Sequence, residues 1–118
     1  MAVRVAINGF GRIGRQVFKI IHNRFRDQLQ VVCFGVTNPH NTDVRALLLK
    51  YDSNYGVFDA EVTSNMEGGH NDLVVDGQAI RILGRNPYGP VPEWNRADVD
   101  LVIEASGHYS GRSHLHLT

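Results

Sequence analysis

Three glycines near the start of the chain have the spacing of a phosphate-binding turn. An alternating apolar run at residues 3–7 leads into Gly9, Gly11 and Gly14, which form a Gly-x-Gly-x-x-Gly motif. A segment with helical periodicity begins at this motif. The first glycine permits a sharp bend, the second lets a pyrophosphate approach the backbone, and the third lets the helix pack on the strand. Free N–H groups at the helix start, with the positive end of its dipole, would hold the phosphate charge. A glycine-rich turn without a ligand is the alternative, and the strand-turn-helix context favours the binding turn.

Two strands and two helices must position this turn. Apolar spacing predicts a strand at residues 4–7, a helix at 11–23, a second strand at 29–36 and a second helix from 41 or 42 to 51. The unbroken apolar core of the second strand is typical of a parallel strand buried on both faces. Each helix has an apolar stripe that we expect to face the core. The stripes are Ile13, Val17, Ile20 and Ile21 in the first helix, and Val44, Leu47, Leu48 and Tyr51 in the second.

The rest of the chain predicts a hairpin and a third core strand. Residues 72–75 and 78–83 flank Asp76-Gly77, a strong signal for a tight hairpin, and 98–106 is another buried run. The order strand, helix, strand, helix, strand predicts an α/β fold of the Rossmann type, with a doubly wound, mainly parallel sheet and the β-hairpin as an insertion. Ligands of such folds bind outside the carboxyl ends of the strands. That edge would be lined by residues 9–13, 37–41 and 105–109.

Composition excludes several classes of function. The 118 residues are 42% hydrophobic with a formal net charge of zero, which suits one domain spanning residues 1–118. Scattered Lys and Arg offset by carboxylates predict no nucleic-acid partner. No apolar run is long enough to cross a membrane and no secretory signal is recognisable, so we expect no membrane partner. The single cysteine, Cys33, agrees with a cytoplasmic location, and the six histidines lack the spacing of metal ligands.

Residues 6–15, Ala-Ile-Asn-Gly-Phe-Gly-Arg-Ile-Gly-Arg, strongly resemble the N-terminus of phosphorylating glyceraldehyde-3-phosphate dehydrogenases. Stretches 48–56, 75–85 and 99–107 match the family in the same order, so the resemblance covers the chain to about residue 109. It implies an enzyme of glycolysis that oxidises a small phosphorylated aldehyde through a cysteine thiohemiacetal and passes hydride to a nicotinamide cofactor. It also implies a homotetramer for a full-length protein.

The resemblance further implies which residues bind the dinucleotide. The glycine turn would surround the phosphates and the adenosine ribose, Arg85 would lie beside the adenine, and Tyr109 would offer the adenine an aromatic wall. The full implied set is Asn8, Gly9, Phe10, Gly11, Arg12, Ile13, Gly14, Thr37, Asn38, Arg85, Ser106, Gly107 and Tyr109.

Asn38 is a first departure from the family pattern. Dinucleotide folds usually place Asp or Glu about 20 residues after the glycine motif, where the carboxylate bonds the adenosine ribose and repels a 2′-phosphate. Asn38 takes that position, and its neutral amide can bond a ribose hydroxyl and also donate to a phosphate oxygen. We therefore predict that both NAD and NADP are accepted, with Thr37 and His40 near the 2′ position. Plain NAD binding, with Asn38 as a simple substitute, is the alternative.

The second departure concerns catalysis. The family's nucleophilic cysteine lies in a Ser-Cys-Thr-Thr-Asn stretch that does not occur in these 118 residues. Cys33 cannot replace it, because the aliphatic surroundings of a buried strand favour the unreactive thiol. We therefore expect a chain that binds cofactor, has no catalytic residue and does not oxidise an aldehyde by itself.

The end of the chain also departs from the pattern. We expect a short last helix from about residue 109 and no strand after it, so that the domain is C-terminally incomplete and the sheet keeps an unpaired edge or an uncovered face. Two alternatives remain open for the whole: part of an erythrose-4-phosphate dehydrogenase, and a non-catalytic nucleotide-binding module.

Overall fold

A computed structural model describes residues 2–36, 41–52, 56–69, 71–84, 99–105 and 115–117. Two α-helices lie in these ranges, α1 (Arg12–Ile20) and α2 (Thr42–Lys50), with a π-helical stretch at Ile21–Phe25 and a 3-10 turn at Glu67–Gly69. The strands are β1 (Val3–Asn8), β2 (Leu29–Val36), β3 (Tyr51–Asp52), β4 (Gly56–Val57), β5 (Val62–Asn65), β6 (Asp72–Val75), β7 (Gln78–Gly84), β8 (Leu101–Glu104) and β9 (Leu115–Leu117).

Seven of these strands form one sheet in the order β5-β6-β7-β2-β1-β8-β9. The pairs β7–β2, β2–β1 and β1–β8 are parallel, whereas β5–β6, β6–β7 and β8–β9 are antiparallel. From β1 the chain moves to β2, passes to the far edge at β5 and returns through β6 to β7 beside β2, and it then crosses to the other side of β1 at β8. This reversal of strand order confirms the predicted doubly wound Rossmann-type fold.

The hairpin β6–β7 is part of the main sheet. Its tight turn has positive φ angles at Asp76 (49°) and Gly77 (82°), which confirms the predicted hairpin. The first half of β7 pairs with β6, and residues 81–84 pair in parallel with β2. The predicted inserted hairpin is therefore present, and it is continuous with the parallel sheet because β7 is long enough to pair with both β6 and β2.

The sheet edge beyond β8 carries a strand that the sequence did not predict. β9 lies antiparallel to β8, with Leu101 opposite Leu117 and Ile103 opposite Leu115. The expectation of an unpaired edge at β8 is therefore wrong, since β9 pairs with its backbone. Most of the helix predicted from about residue 109 lies outside the described residues, and residues 115–117 are strand. Three residues are too few to show a strand period in the sequence.

The two central strands are buried on both faces, as the unbroken apolar run of β2 predicts for that strand. On one face Val5, Ile7 and Phe34 pack with residues of α1 and α2, and on the other Ala6 and Cys33 pack with β8. Alternation of side chains along a strand places these two sets on opposite sides of the sheet. The central strands therefore form a rigid base for the turn that follows β1.

The face of α1 that is buried differs from the predicted stripe. Ile13 is 62% exposed and Ile20 is 48% exposed, whereas Gly14, Phe18 and Ile21 are buried. The buried positions still have the spacing i, i+4, i+7 of one helix face. A Cβ atom at Gly14 would overlap the carbonyl oxygen of Gly9, so the close approach at this glycine sets the rotation of the helix.

The predicted stripe of α2 also faces outward. Val44, Leu47, Leu48 and Tyr51 are all exposed, and the buried positions are Thr42, Ala46 and Leu49. Polar contacts at the helix end explain this rotation: Lys50 Nζ donates to the carbonyl oxygens of Phe58 (2.8 Å) and Ala60 (2.6 Å). The spacing of apolar residues along the sequence contains no information about such contacts. Neither α1 nor α2 has the length and apolar character needed to cross a membrane.

Candidate nucleotide-binding site

The glycine turn connects the end of β1 to the first residue of α1. Gly9 has φ of 119°, a region that favours glycine, and its N–H donates to the carbonyl oxygen of Gly35 on β2 (2.8 Å). Gly11 is the N-cap of α1 and has an extended conformation. Among the described residues, no heavy atom lies within 4 Å of the point where a Cβ of Gly11 would stand. The turn therefore leaves open space above the backbone at Gly11.

The start of α1 has the properties of an anion site. Gly11 offers no side-chain cap to the helix, and no acidic residue lies in the first turn. Arg12 and Ile13 are exposed there. The first N–H groups of a helix have no partner within the helix, and the dipole adds partial positive charge to them. A phosphate group fits these donors and the open space at Gly11.

Phe10 is held in place by contacts on both sides. Its ring packs against Phe34 with centroids 4.9 Å apart, and the Arg15 guanidinium lies 5.7 Å from the ring centroid. Arg15 Nη1 also donates to the Phe10 carbonyl oxygen (2.9 Å). Arg15 thus ties the glycine turn to the first turn of α1. Sequence reasoning missed this role, and the only available signal is a cation five residues after Phe10.

Asn8 lies beneath the turn rather than on its surface. Its side chain is 1% exposed, and its Nδ2 donates to Oε2 of Glu104, itself 2% exposed, at 2.6 Å. Its Oδ1 has no hydrogen-bond partner among the described residues. Sequence reasoning also missed Glu104, because an acidic residue at the end of a buried strand is not distinguished from a solvated one.

The remaining predicted residues lie outside the described part of the chain. These are Thr37, Asn38, Arg85, Ser106, Gly107 and Tyr109. The strands that lead to them end at one edge, since Asn8 is opposite both Gly35 and Glu104, and Val36 is opposite Gly84. The structure therefore brings the points where these segments leave the sheet to the edge that carries the glycine turn.

Cys33 and His22 have structural surroundings. Cys33 is fully buried, and burial raises the pKa of its thiol to about 12. His22 Nε2 lies 2.9 Å from Oδ2 of Asp76, and its ring packs against Phe18 and Phe58. Among the described residues, no three His, Cys, Asp or Glu side chains are grouped to hold a metal ion.

A glycine turn between the first strand and the first helix of a doubly wound sheet defines a dinucleotide-binding α/β domain. Residues 3–112 match the NAD binding domain of glyceraldehyde 3-phosphate dehydrogenase, and the chain belongs to this family of oxidoreductases. The resemblance of residues 6–15 and the later stretches is thus confirmed.

Three relatives illustrate the similarity. Glyceraldehyde-3-phosphate dehydrogenase 1 of Candida glabrata is 42% identical over 93% of this chain and 31% of its own length. Glyceraldehyde-3-phosphate dehydrogenase 2 of Bacillus subtilis is 38% identical over 95% of this chain and 30% of its own length. The chloroplastic enzyme of Gracilaria gracilis is 42% identical over 91% of this chain and 24% of its own length. The chain thus spans less than a third of these relatives, and family membership does not fix the cytoplasmic location predicted.

Proposed function

We propose that this chain binds NAD, with the pyrophosphate at the glycine turn and the start of α1. The proposal is supported above all by Gly11, where a Cβ would meet no atom of the described residues although the helix start beside it has no side-chain cap. The backbone at Gly11, Arg12 and Ile13 would hold the phosphates, with Gly9, Phe10 and Gly14 forming the turn. NAD supplies the hydride acceptor when it is bound.

Titration of Gly11→Val with NAD by calorimetry tests this proposal. The φ of Gly11 is −80°, which valine adopts, and its Cβ has free space, so the variant should fold like the wild type. Its side chain would occupy the phosphate position, and we expect at least a tenfold rise in Kd, about 1.4 kcal/mol. Ala79→Val, at an exposed position of β7, is the matched control and should leave Kd unchanged. Unaltered NAD binding by Gly11→Val would contradict the proposed site.

We further propose that the chain accepts NADP as well as NAD, on the basis of Asn38. A neutral amide at the ribose position does not repel a 2′-phosphate, and it can donate a hydrogen bond to it. Separate titrations with NAD and NADP should give Kd values within a hundredfold of each other. Asn38→Asp should widen the ratio in favour of NAD. A preference for NAD above a hundredfold in the wild type would refute this proposal.

The catalytic role is proposed for a longer protein that contains this domain. Its relatives are named glyceraldehyde-3-phosphate dehydrogenases, and we propose the same phosphorylated aldehyde as substrate and a homotetramer as the assembly. The 118-residue polypeptide alone should show no aldehyde oxidation, since Cys33 is its single cysteine and has a raised pKa. Following NADH formation spectroscopically with glyceraldehyde-3-phosphate and phosphate tests this expectation.

A further inference from the structure

We propose that Glu104 is a positioning residue for the dinucleotide: through Asn8 it fixes the start of the glycine turn without contacting the ligand. This inference rests on the NAD binding proposed above. It assigns a role to a buried carboxylate that lies outside the set of residues implied by family resemblance.

The geometry joins two strand ends. Asn8 and Glu104 are the last residues of β1 and β8, they are opposite each other in the parallel register, and their side chains are hydrogen-bonded at 2.6 Å. A carboxylate accepts hydrogen bonds only, so the amide must present Nδ2 to it. Since both side chains are buried, neither has solvent as a substitute partner. Glu104 therefore fixes the orientation of the Asn8 side chain.

Because Asn8 directly precedes Gly9, its fixed position also determines where the glycine turn begins. Its carbonyl oxygen accepts a hydrogen bond from the N–H of Ala105 (2.9 Å), so β8 holds Asn8 through both backbone and side chain. The next residue, Gly9, is held on the other side by Gly35 of β2. The turn thus departs from a point that is tied to both neighbouring strands. Loss of the side-chain bond would leave Asn8, the residue before Gly9, held only by backbone hydrogen bonds.

The negative charge of Glu104, considered by itself, should weaken NAD binding, whereas a positioning role strengthens it. A carboxylate at the sheet edge that receives a pyrophosphate repels the ligand, and its burial is itself unfavourable unless it is hydrogen-bonded. If Glu104 acted only through its charge, its neutralisation would tighten NAD binding. If it acts by positioning, neutralisation weakens binding. The sign of the change distinguishes the two.

The experiment is a set of calorimetric NAD titrations on the full 118-residue chain. Glu104→Gln should raise Kd about fivefold, because its neutral amide can still bond Asn8 but without charge assistance, and it no longer fixes which way the Asn8 amide points. Asn8→Asp should raise it further, because two carboxylates then face each other. The double variant Asn8→Asp with Glu104→Gln restores one donor and one charged acceptor with their places exchanged. Its Kd should return to within about threefold of the wild type.

Val102→Ala is the control for general damage to β8. Val102 is buried on the same strand, so this variant should lower the melting temperature while the folded protein keeps the wild-type Kd. Hydrogen exchange of the Gly9 and Ala105 amides should accelerate in Glu104→Gln beyond its rate in Val102→Ala. Circular dichroism records the folded fraction of each variant.

Two results would overturn the inference: wild-type or tighter NAD binding by Glu104→Gln, or a double variant as weak as Asn8→Asp. If Glu104→Gln does not fold, the double variant decides, because a folded double variant with near-wild-type Kd supports the inference and one more than tenfold weaker overturns it. Absence of NAD binding by the wild type would instead refute the proposed function. The exchange rates at Gly9 and Ala105 would then decide whether Glu104 positions the turn.

Discussion

Gly9, Gly11 and Gly14 are glycine for three separate physical reasons. Gly9 adopts a positive φ, Gly14 has no room for a Cβ beside the Gly9 carbonyl, and Gly11 has open space around it. The bend and the close packing predicted from the sequence are thus confirmed by the structure. Approach of a ligand to Gly11 stays a prediction, because the reason for glycine there lies outside the protein.

Gly14→Ala should therefore damage the fold, in contrast to Gly11→Ala. The added Cβ would overlap backbone atoms of Gly9, which no side-chain rotation relieves. We expect a loss of about 2–3 kcal/mol in the free energy of unfolding for Gly14→Ala. Gly11→Ala should lose no more than about 1 kcal/mol, the usual cost of alanine at an N-cap. Urea denaturation of both variants measures the difference, and equal stabilities would contradict the packing described for Gly14.

At the scale of elements, strands were more predictable than helix faces. β2 and β6 have the predicted bounds, because an unbroken apolar run and an Asp-Gly turn are strong local signals. The rotation of α1 depends instead on the close approach at Gly14, and that of α2 on the Lys50 hydrogen bonds. Both are contacts between distant elements. The predicted stripe of large apolar residues was therefore right for the first helix only at Ile21 and in part at Val17, and it was wrong for α2.

Two leucines of α2, Leu47 and Leu49, allow a test of which face of the helix is buried. Leu49 is fully buried and Leu47 is 60% exposed. Leu49→Ala should lower the free energy of unfolding by about 2–5 kcal/mol through lost burial and the cavity it leaves. Leu47→Ala should change it by less than about 0.5 kcal/mol. Urea denaturation of the two variants, which remove the same atoms, gives the comparison. A larger loss for Leu47→Ala would support the stripe predicted from the sequence instead.

At the scale of the whole molecule, the order of elements was sufficient to predict the doubly wound sheet. The alternation of strands and helices leaves few connections that are right-handed and uncrossed. β9 and the dual pairing of β7 were not predictable, since they depend on which strand edges meet in space. The candidate site divides in the same way: its glycines follow from local spacing, whereas Glu104 and Arg15 act through contacts that only the fold creates.

The His22–Asp76 pair connects the helical stretch after α1 to the turn of the β6–β7 hairpin. It should make the stability of the protein depend on pH. A hydrogen bond from the N–H of Glu61 and another from His22 lower the pKa of the exposed Asp76 carboxyl below its ordinary value of 3.8. Because the folded protein holds this carboxylate ionised more strongly than the unfolded chain does, its contribution is present above pH 3.8. It is lost as the pH falls through the lower folded pKa.

Asp76→Asn tests this contribution, since asparagine tolerates the positive φ of the turn and replaces the carboxylate by a neutral amide of the same shape with one acceptor oxygen. The variant should be less stable than the wild type at pH 6, and the difference should shrink as the pH falls below 3.8. Urea denaturation between pH 2 and pH 6 measures both proteins under matched conditions. Arg26 also faces this carboxylate, so added salt should reduce the difference at pH 6. A difference that stays constant across this range would show that the carboxylate does not link the helical layer to the hairpin.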